Sequence, residues 1–409
     1  MRRRCWKSIC MLLIAGGLGI LFVSLVTSPR SLPGNHLIRD SSSAWGKDSF
    51  MPRNHNQSSP YTDVSKQCSK MNNIAFLKVH KSGSTTVANI LQRYAIRNQL
   101  NMVLPNKKRG SYGFNYLGYN GNFTMESVIP IPRNETYNIL CNHVIYNRTM
   151  FKKLLPKDSF YLAIVREPEE RFVSAAFYYG LVGKLKKTVP DINSTKYIFS
   201  EWLKNPWKYG VSMEVYNHVA YDFGLPRQSF HNRSVVDAYV RSLDSDFDFV
   251  LLMDYFDESL MLLRRRLCWS MKDMIYLRSN PGTNKVDFAF SEDDRKRLKK
   301  WQMADVAIFE HFHARFWRQV EAEGRGLFLE TAFFKQALRR VNDFCKYGKW
   351  RWPSVDIASS PWSESFTVTL YDCHEMEARE LIVVQRLQRS AWARYNASLT
   401  ITPEPKIHN

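Results

Sequence analysis

The 409-residue sequence contains no G-x-x-x-x-G-K-[ST] loop, which argues against a Walker-type nucleoside-triphosphate enzyme. Acids are in the minority, 38 against 58 Lys and Arg, for a formal charge of +20. Such an excess suits a polyanionic partner, whether an anionic cofactor, acidic glycans or lipid headgroups, although a merely basic surface accounts for much of it equally well. Cysteine is sparse. Cys5 and Cys10 lie in or beside an apolar N-terminal run, leaving Cys68, Cys141, Cys268, Cys345 and Cys373. Five is odd, so at least one is free or pairs between chains. No partner cluster accompanies His311 and His313; both read as packing residues on a helix, and no metal is expected.

Also missing is a clear small-x-small cleavage site after the uncharged run from Ser8 to Pro29. A cleaved signal peptide would share the cationic start, but this run is longer than a typical signal core and spans a bilayer of ~30 Å as a helix. Arg2, Arg3, Arg4 and Lys7 put the tail in the cytosol. Residues 1–29 therefore read as a cytosolic tail and transmembrane signal anchor, with the rest luminal or outside. Seven Asn-x-Ser/Thr sequons, at Asn56, Asn122, Asn134, Asn147, Asn193, Asn232 and Asn396, agree with a secretory-pathway chain. A lumen makes nucleic acid an improbable partner. Residues 30–70, rich in Ser, Pro, Asn and Arg, read as a flexible stem.

What the sequence does hold is one organising stretch. Ile74 to Val79 is a short apolar run, as in a buried parallel strand. Lys81-Ser82-Gly83-Ser84-Thr85-Thr86 follows, then a helical pattern with Val87, Ile90, Leu91, Tyr94 and Ala95 on one face. A small-residue loop running into a helix N-terminus makes an anion site, with Lys81 adding charge and the hydroxyls adding donors. An ordinary capped strand–helix turn would look similar. A second unit runs from the strand Phe160–Val165 into Arg166-Glu167-Pro168-Glu169-Glu170-Arg171, with Ser174 two helical turns on. Pro168 and the glutamates suit a helix start. Arg166 leaves the strand end where open α/β sheets bind ligands, yet a surface salt bridge to a neighbouring glutamate is the plainer reading of it alone.

Together the two units resemble the nucleotide-binding elements of sulfotransferases. Phe76 to Thr86, Cys141-Asn142-His143, Asp254 to Leu260, Leu262 to Leu267 and Glu310-His311-Phe312 narrow the resemblance to the Golgi galactose 3-O-sulfotransferases, over roughly residues 71 to 320. The resemblance implies an α/β, P-loop-like sulfotransferase fold, its central parallel sheet flanked by helices, with the catalytic domain at 71–330 and a C-terminal extension of the luminal domain at 331–409. It implies 3′-phosphoadenosine-5′-phosphosulfate (PAPS) as sulfuryl donor. Lys81, Ser82, Gly83, Ser84, Thr85 and Thr86 would grip the 5′-phosphosulfate, and Arg166 and Ser174 the 3′-phosphate. The acceptor would be the 3-hydroxyl of a terminal β-galactose on a glycolipid or glycoprotein glycan. By analogy, His143 would be the general base and Lys81 would stabilise the leaving phosphate, with His80 as alternative base or acceptor-positioning group. A Golgi membrane enzyme of single-pass type II topology is implied, and a homodimer is compatible with it. Val79 and Ser82 depart conservatively from the Thr expected at both places.

The rest is scaffold or open. The Gly-, Asn- and Tyr-rich stretch from Leu104 to Arg133 is either an acceptor-shaping insertion or a glycosylated surface loop. Trp202 and Trp207 could stack on a sugar, but Trp202 with Phe199 and Leu203 is equally a packed helix face. Phe247 to Met253 reads as another apolar strand. One long helix is expected from the cap Ser291 through Phe316. Two rival readings remain: a kinase-like nucleotide enzyme, which a comparison of ATP with PAPS binding would expose, and a non-catalytic glycan-binding type II membrane protein that kept the fold.

Overall fold

The computed structural model describes residues 68–106, 115–118, 123–189, 195–210, 213–278, 288–348 and 350–400. The expected anchor (1–29), nearly all of the stem and the centre of the Leu104–Arg133 stretch lie outside them. Among the described residues no helix is long and apolar enough to cross a membrane.

Four parallel strands form the central sheet: β1 (Ile74–Leu77), β2 (Ile139–Leu140), β3 (Phe160–Val165) and β4 (Phe249–Leu252), in the order β2-β1-β3-β4. Every residue of β1 and β4 is buried, as helices on both faces of a parallel sheet require, which is why these strands are continuous apolar runs. Leu77 pairs with Ala163 and Val165 with Leu252, so the loops leaving β1, β3 and β4 emerge at one edge. The chain steps from β1 to β2 on one side and crosses to β3 on the other. In this order the ligand crevice opens between β1 and β3.

The main helices, in chain order, are α1 (Ser84–Arg97), α2 (Pro168–Tyr178), α3 (His218–Asp222), α4 (Phe256–Leu267), α5 (Glu292–Trp301), α6 (Met303–Glu323), α7 (Arg325–Asp343), α8 (Leu370–Glu377) and α9 (Glu380–Thr400). The face read on α1, from Val87 to Ala95, is the buried one. Tyr94 stacks on Trp269 at 3.5 Å between centroids, and Trp269 Nε1–H donates to Met71 O. The disulfide Cys68–Cys268 ties the same corner; Cys345–Cys373 ties α7's end to α8, and Cys141 is the free, buried fifth cysteine.

One expectation fails. The single helix expected from Ser291 is broken at Gln302 into α5 and α6. Asn217 makes the break tolerable: its Oδ1 accepts from the N–H groups of Ala304 and Asp305, and its own N–H donates to Gln302 Oε1. The orphan donors of α6 are thus satisfied from another segment. Trp202 is fully buried, stacked on Phe172 and edge-on to Trp301, so it is core; Trp207 is exposed. His311 pairs with Asp244 and His313 accepts from Trp317, both as helix-packing residues.

The C-terminal segment is built into the fold. α7 runs through residue 330, and Glu330, fully buried, bridges Arg264 and Arg265 of α4. α8 and α9 lie against the β1–α1 side. Asn89 donates to Glu375 O, Gln388 to Pro105 O, and Arg394 to Asn101 and Glu135.

Candidate active site

The loop after β1 is wound tightly. Lys81 and Gly83 both have left-handed backbone, at φ 63° and 74°. Gly83 is also sterically required: a Cβ there would sit 2.2 Å from Met253 Sδ, at the end of β4. Ser84 Oγ donates to Val79 O at 2.7 Å, and Ser82 is buried with its Oγ toward His80 O, so these two hydroxyls shape the loop while Thr85 is exposed and Thr86 half-buried. No side chain caps α1; the Thr86 N–H donates to Gly83 O at 3.1 Å, and the N–H groups of Ser84 and Thr85 at the helix start face no side-chain cap among the described residues. Lys81 Nζ lies 3.8 Å above the Tyr178 ring. Burial, then Arg166 and Arg171, hold its ammonium below the usual lysine range. Lys81 and Arg166 leave adjacent strand ends, β1 and β3.

Arg166 itself makes the salt bridge that the sequence suggested, to Glu170 at 2.8 Å. Glu170 is more than half exposed, so the pair is weak and exchangeable. Glu167 caps α2 through its side chain, and burial pushes its carboxyl up to about 7. Ser174 is half-buried on α2, two turns from Arg166. Arg171 points inward: it is buried, donates through Nη2 to Glu214 O, and has no hydrogen-bond partner among the described residues for Nε or Nη1.

β2 delivers His143, as read. Its Nδ1 is 3.2 Å from Lys78 O, which makes Nδ1–H the donor and leaves Nε2 as an acceptor. Its ring stacks on His80 at 4.1 Å and on Tyr116 at 4.9 Å. Burial, reinforced by the charges of Lys78 and His80, holds the His143 imidazole well below the usual histidine range. It is neutral at pH 7. His80 is clamped: Nδ1 lies 2.9 Å from both Asp222 oxygens, its backbone N–H donates to Asp222, and Nε2 is 2.9 Å from the Tyr116 hydroxyl. Burial pushes the Asp222 carboxyl up, but His80 and His218 outweigh it and hold it below the usual range. His218, edge-on to His80, is brought down to about 4 by burial. His80, His218 and Asp222 bring three potential ligand atoms within 4.8 Å of one another, but Asp222 is already committed to His80, so the group is a hydrogen-bonded dyad with a third ring beside it.

The sequence reading missed Tyr116, His218, Asp222, Lys78 and Glu380. Only Lys78 carried a local signal, as a cation inside an apolar run that must find a partner once buried. It finds Glu380, whose two oxygens lie 2.5 Å from Nζ.

The sequence profile of the galactose-3-O-sulfotransferase family matches residues 5–363. Among individual proteins, the chain is 32% identical to galactose-3-O-sulfotransferase 2 of Mus musculus over 285 residues, 67% of this chain and 69% of that protein. It is 29% identical to galactosylceramide sulfotransferase of Homo sapiens over 305 residues, covering 72% and 70%. The bovine (Bos taurus) galactosylceramide sulfotransferase aligns over 372 residues at 26% identity, covering 88% and 85%. Because the match runs through all four strands of the sheet and through the loops that hold Lys81, His143 and Arg166, the chain is a member of the galactose-3-O-sulfotransferase family.

Proposed function

We propose that the chain transfers a sulfuryl group from PAPS to the 3-hydroxyl of a terminal β-galactose on a glycolipid or glycoprotein glycan. The observation that supports this most is the shared edge: an uncapped helix N-terminus with Lys81, and Arg166 on the neighbouring strand end, beside a neutral His143. The residues fit a nucleotide carrying two phosphate-bearing arms. The uncapped start of α1 and Lys81 suit the 5′-phosphosulfate, and Arg166 with Ser174 suits the 3′-phosphate. Bound there, the donor supplies the sulfuryl group and a phosphate leaving group.

The protein's own part is positioning and proton transfer. His143 Nε2 takes the proton from the attacking sugar hydroxyl, a poor nucleophile at neutral pH. Lys81 and the first-turn N–H groups face the charge that develops on the departing oxygen. The Asp222–His80–Tyr116 chain fixes the ring against which His143 stacks. That chain also favours a second reading, in which His80 is the base, because a buried carboxylate on Nδ1 orients and strengthens an imidazole. Residues 1–29 would anchor the enzyme in the Golgi membrane with the site luminal. Incubation with radiolabelled PAPS and a panel of galactose-terminated acceptors tests the whole reading: label on a galactose 3-hydroxyl supports it, and binding of glycan without transfer overturns it.

Two outcomes follow. Arg166→Ala is expected to raise the dissociation constant for PAPS by about tenfold or more, the weight of a hydrogen bond to a charged group; calorimetry giving an unchanged constant removes Arg166 from the 3′-phosphate. The acid limb of kcat/KM is expected below pH 6.5. The base must be unprotonated, and a histidine held below its ordinary range stays so until the pH falls through that lowered value. An acid limb at or above 6.5 counts against His143.

A further inference from the structure

The C-terminal helix reaches into the site from beyond the residues that the family profile matches. Glu380 opens α9, and its carboxylate closes on Lys78, whose side chain is fully buried at the end of β1, 302 residues away. The same carboxylate accepts from Asn115 Nδ2 at 3.4 Å. These two partners are not incidental. The carbonyl of Lys78 receives the Nδ1–H of His143, and the carbonyl of Asn115 receives its backbone N–H at 2.9 Å. Glu380 thus touches two of the residues whose main chains hold His143, the third being Leu117, whose N–H donates to His143 O at 2.7 Å from the same segment as Asn115.

We infer that Glu380 is a positioning residue for transfer: it braces the two backbone segments that orient His143 and supplies the negative charge that balances Lys78 beside it. The inference rests on the reading of His143 as base. The charged and titratable groups around that imidazole are Lys78, His80 and His218, with Asp222 behind His80, Glu380 behind Lys78, and the Tyr116 hydroxyl and Cys141 thiol alongside. Among the described residues Glu380 is the carboxylate paired with Lys78, so its loss leaves that cation facing His143 without this counterweight. The C-terminal segment then belongs to the catalytic machinery, although it carries none of the motif residues.

The test uses the full chain. Glu380→Gln is expected to lower kcat about 10- to 100-fold, the scale of an ångström-sized misplacement, with donor KM nearly unchanged. The acid limb of the pH profile is expected to move to lower pH, and Glu380→Asp to recover part of both. A structural ion pair would not move the pH profile. Should Glu380→Gln fail to fold, the double variant Lys78→Met/Glu380→Leu replaces the buried pair by apolar groups, a change that folds tolerate. A folded but slow double variant with an altered pH profile supports the proposal; full turnover with the wild-type profile, in either variant, overturns it. His143→Ala run in parallel separates the two claims: if it stays active the base assignment fails, whereas an inactive His143→Ala beside a fully active Glu380→Gln refutes only the role of Glu380.

Discussion

His143→Ala is expected to reduce kcat by about three orders of magnitude while leaving the dissociation constant for PAPS within about twofold. General base catalysis contributes 10²–10⁴-fold where a hydroxyl must be deprotonated, and nothing in the described contacts of His143 involves Lys81, Arg166 or Ser174. Loss of the ring removes a stacking partner of His80, but Asp222 and Tyr116 still hold His80 from both nitrogens. The donor site should therefore survive. Single-turnover kinetics with labelled donor, paired with equilibrium binding, check the split. His80→Ala is the control: a deeper loss there than in His143→Ala would transfer the role of base to His80. Retained turnover in His143→Ala takes it out of the chemistry altogether.

What was legible in the sequence was what is local. The strand, loop and helix from Ile74 to Ala95 could be read because burial on both faces leaves an apolar run and because the helix buries one stripe, whereas the approach of Met253 that fixes glycine at position 83 comes from 170 residues away. The salt bridge of Arg166 was legible for the same reason, since Glu170 is one helical turn away. What escaped was set by contacts distant in sequence. Asp222 reaches His80 across 142 residues, and Glu380 reaches Lys78 across 302. Neither acid sits in a pattern that distinguishes it from a solvated surface carboxylate. The break at Gln302 was invisible because helical periodicity continues through it, from Leu298 to Phe316; Asn217, over 80 residues earlier, supplies the hydrogen bonds that make the break tolerable. Trp202 had two readings from sequence, and only its ring contacts with Phe172 and Trp301 decide for the core.

Gly83→Ala is expected to weaken PAPS binding by about 30-fold or more and to lower the melting temperature. Two costs act at the same atom. A side chain at φ 74° carries about 1–2 kcal/mol of left-handed strain, and the new methyl meets Met253 Sδ at 2.2 Å, an overpacking of about 1–3 kcal/mol. The loop can relieve both only by moving away from β4, which tilts the first turn of α1 and displaces the backbone proposed to hold the 5′-phosphosulfate. Restoring that backbone position on binding then costs about 2 kcal/mol or more, and 1.4 kcal/mol is tenfold in affinity. Because the clash is with a flexible thioether, Gly83→Ala/Met253→Ala should recover the packing share but not the backbone share. Partial recovery of PAPS affinity in the double variant, measured by calorimetry, is the signature of this mechanism. Wild-type affinity in Gly83→Ala alone would mean that the loop's left-handed turn does not hold the donor, and the assignment of Lys81 to Thr86 to the 5′-phosphosulfate would fall with it.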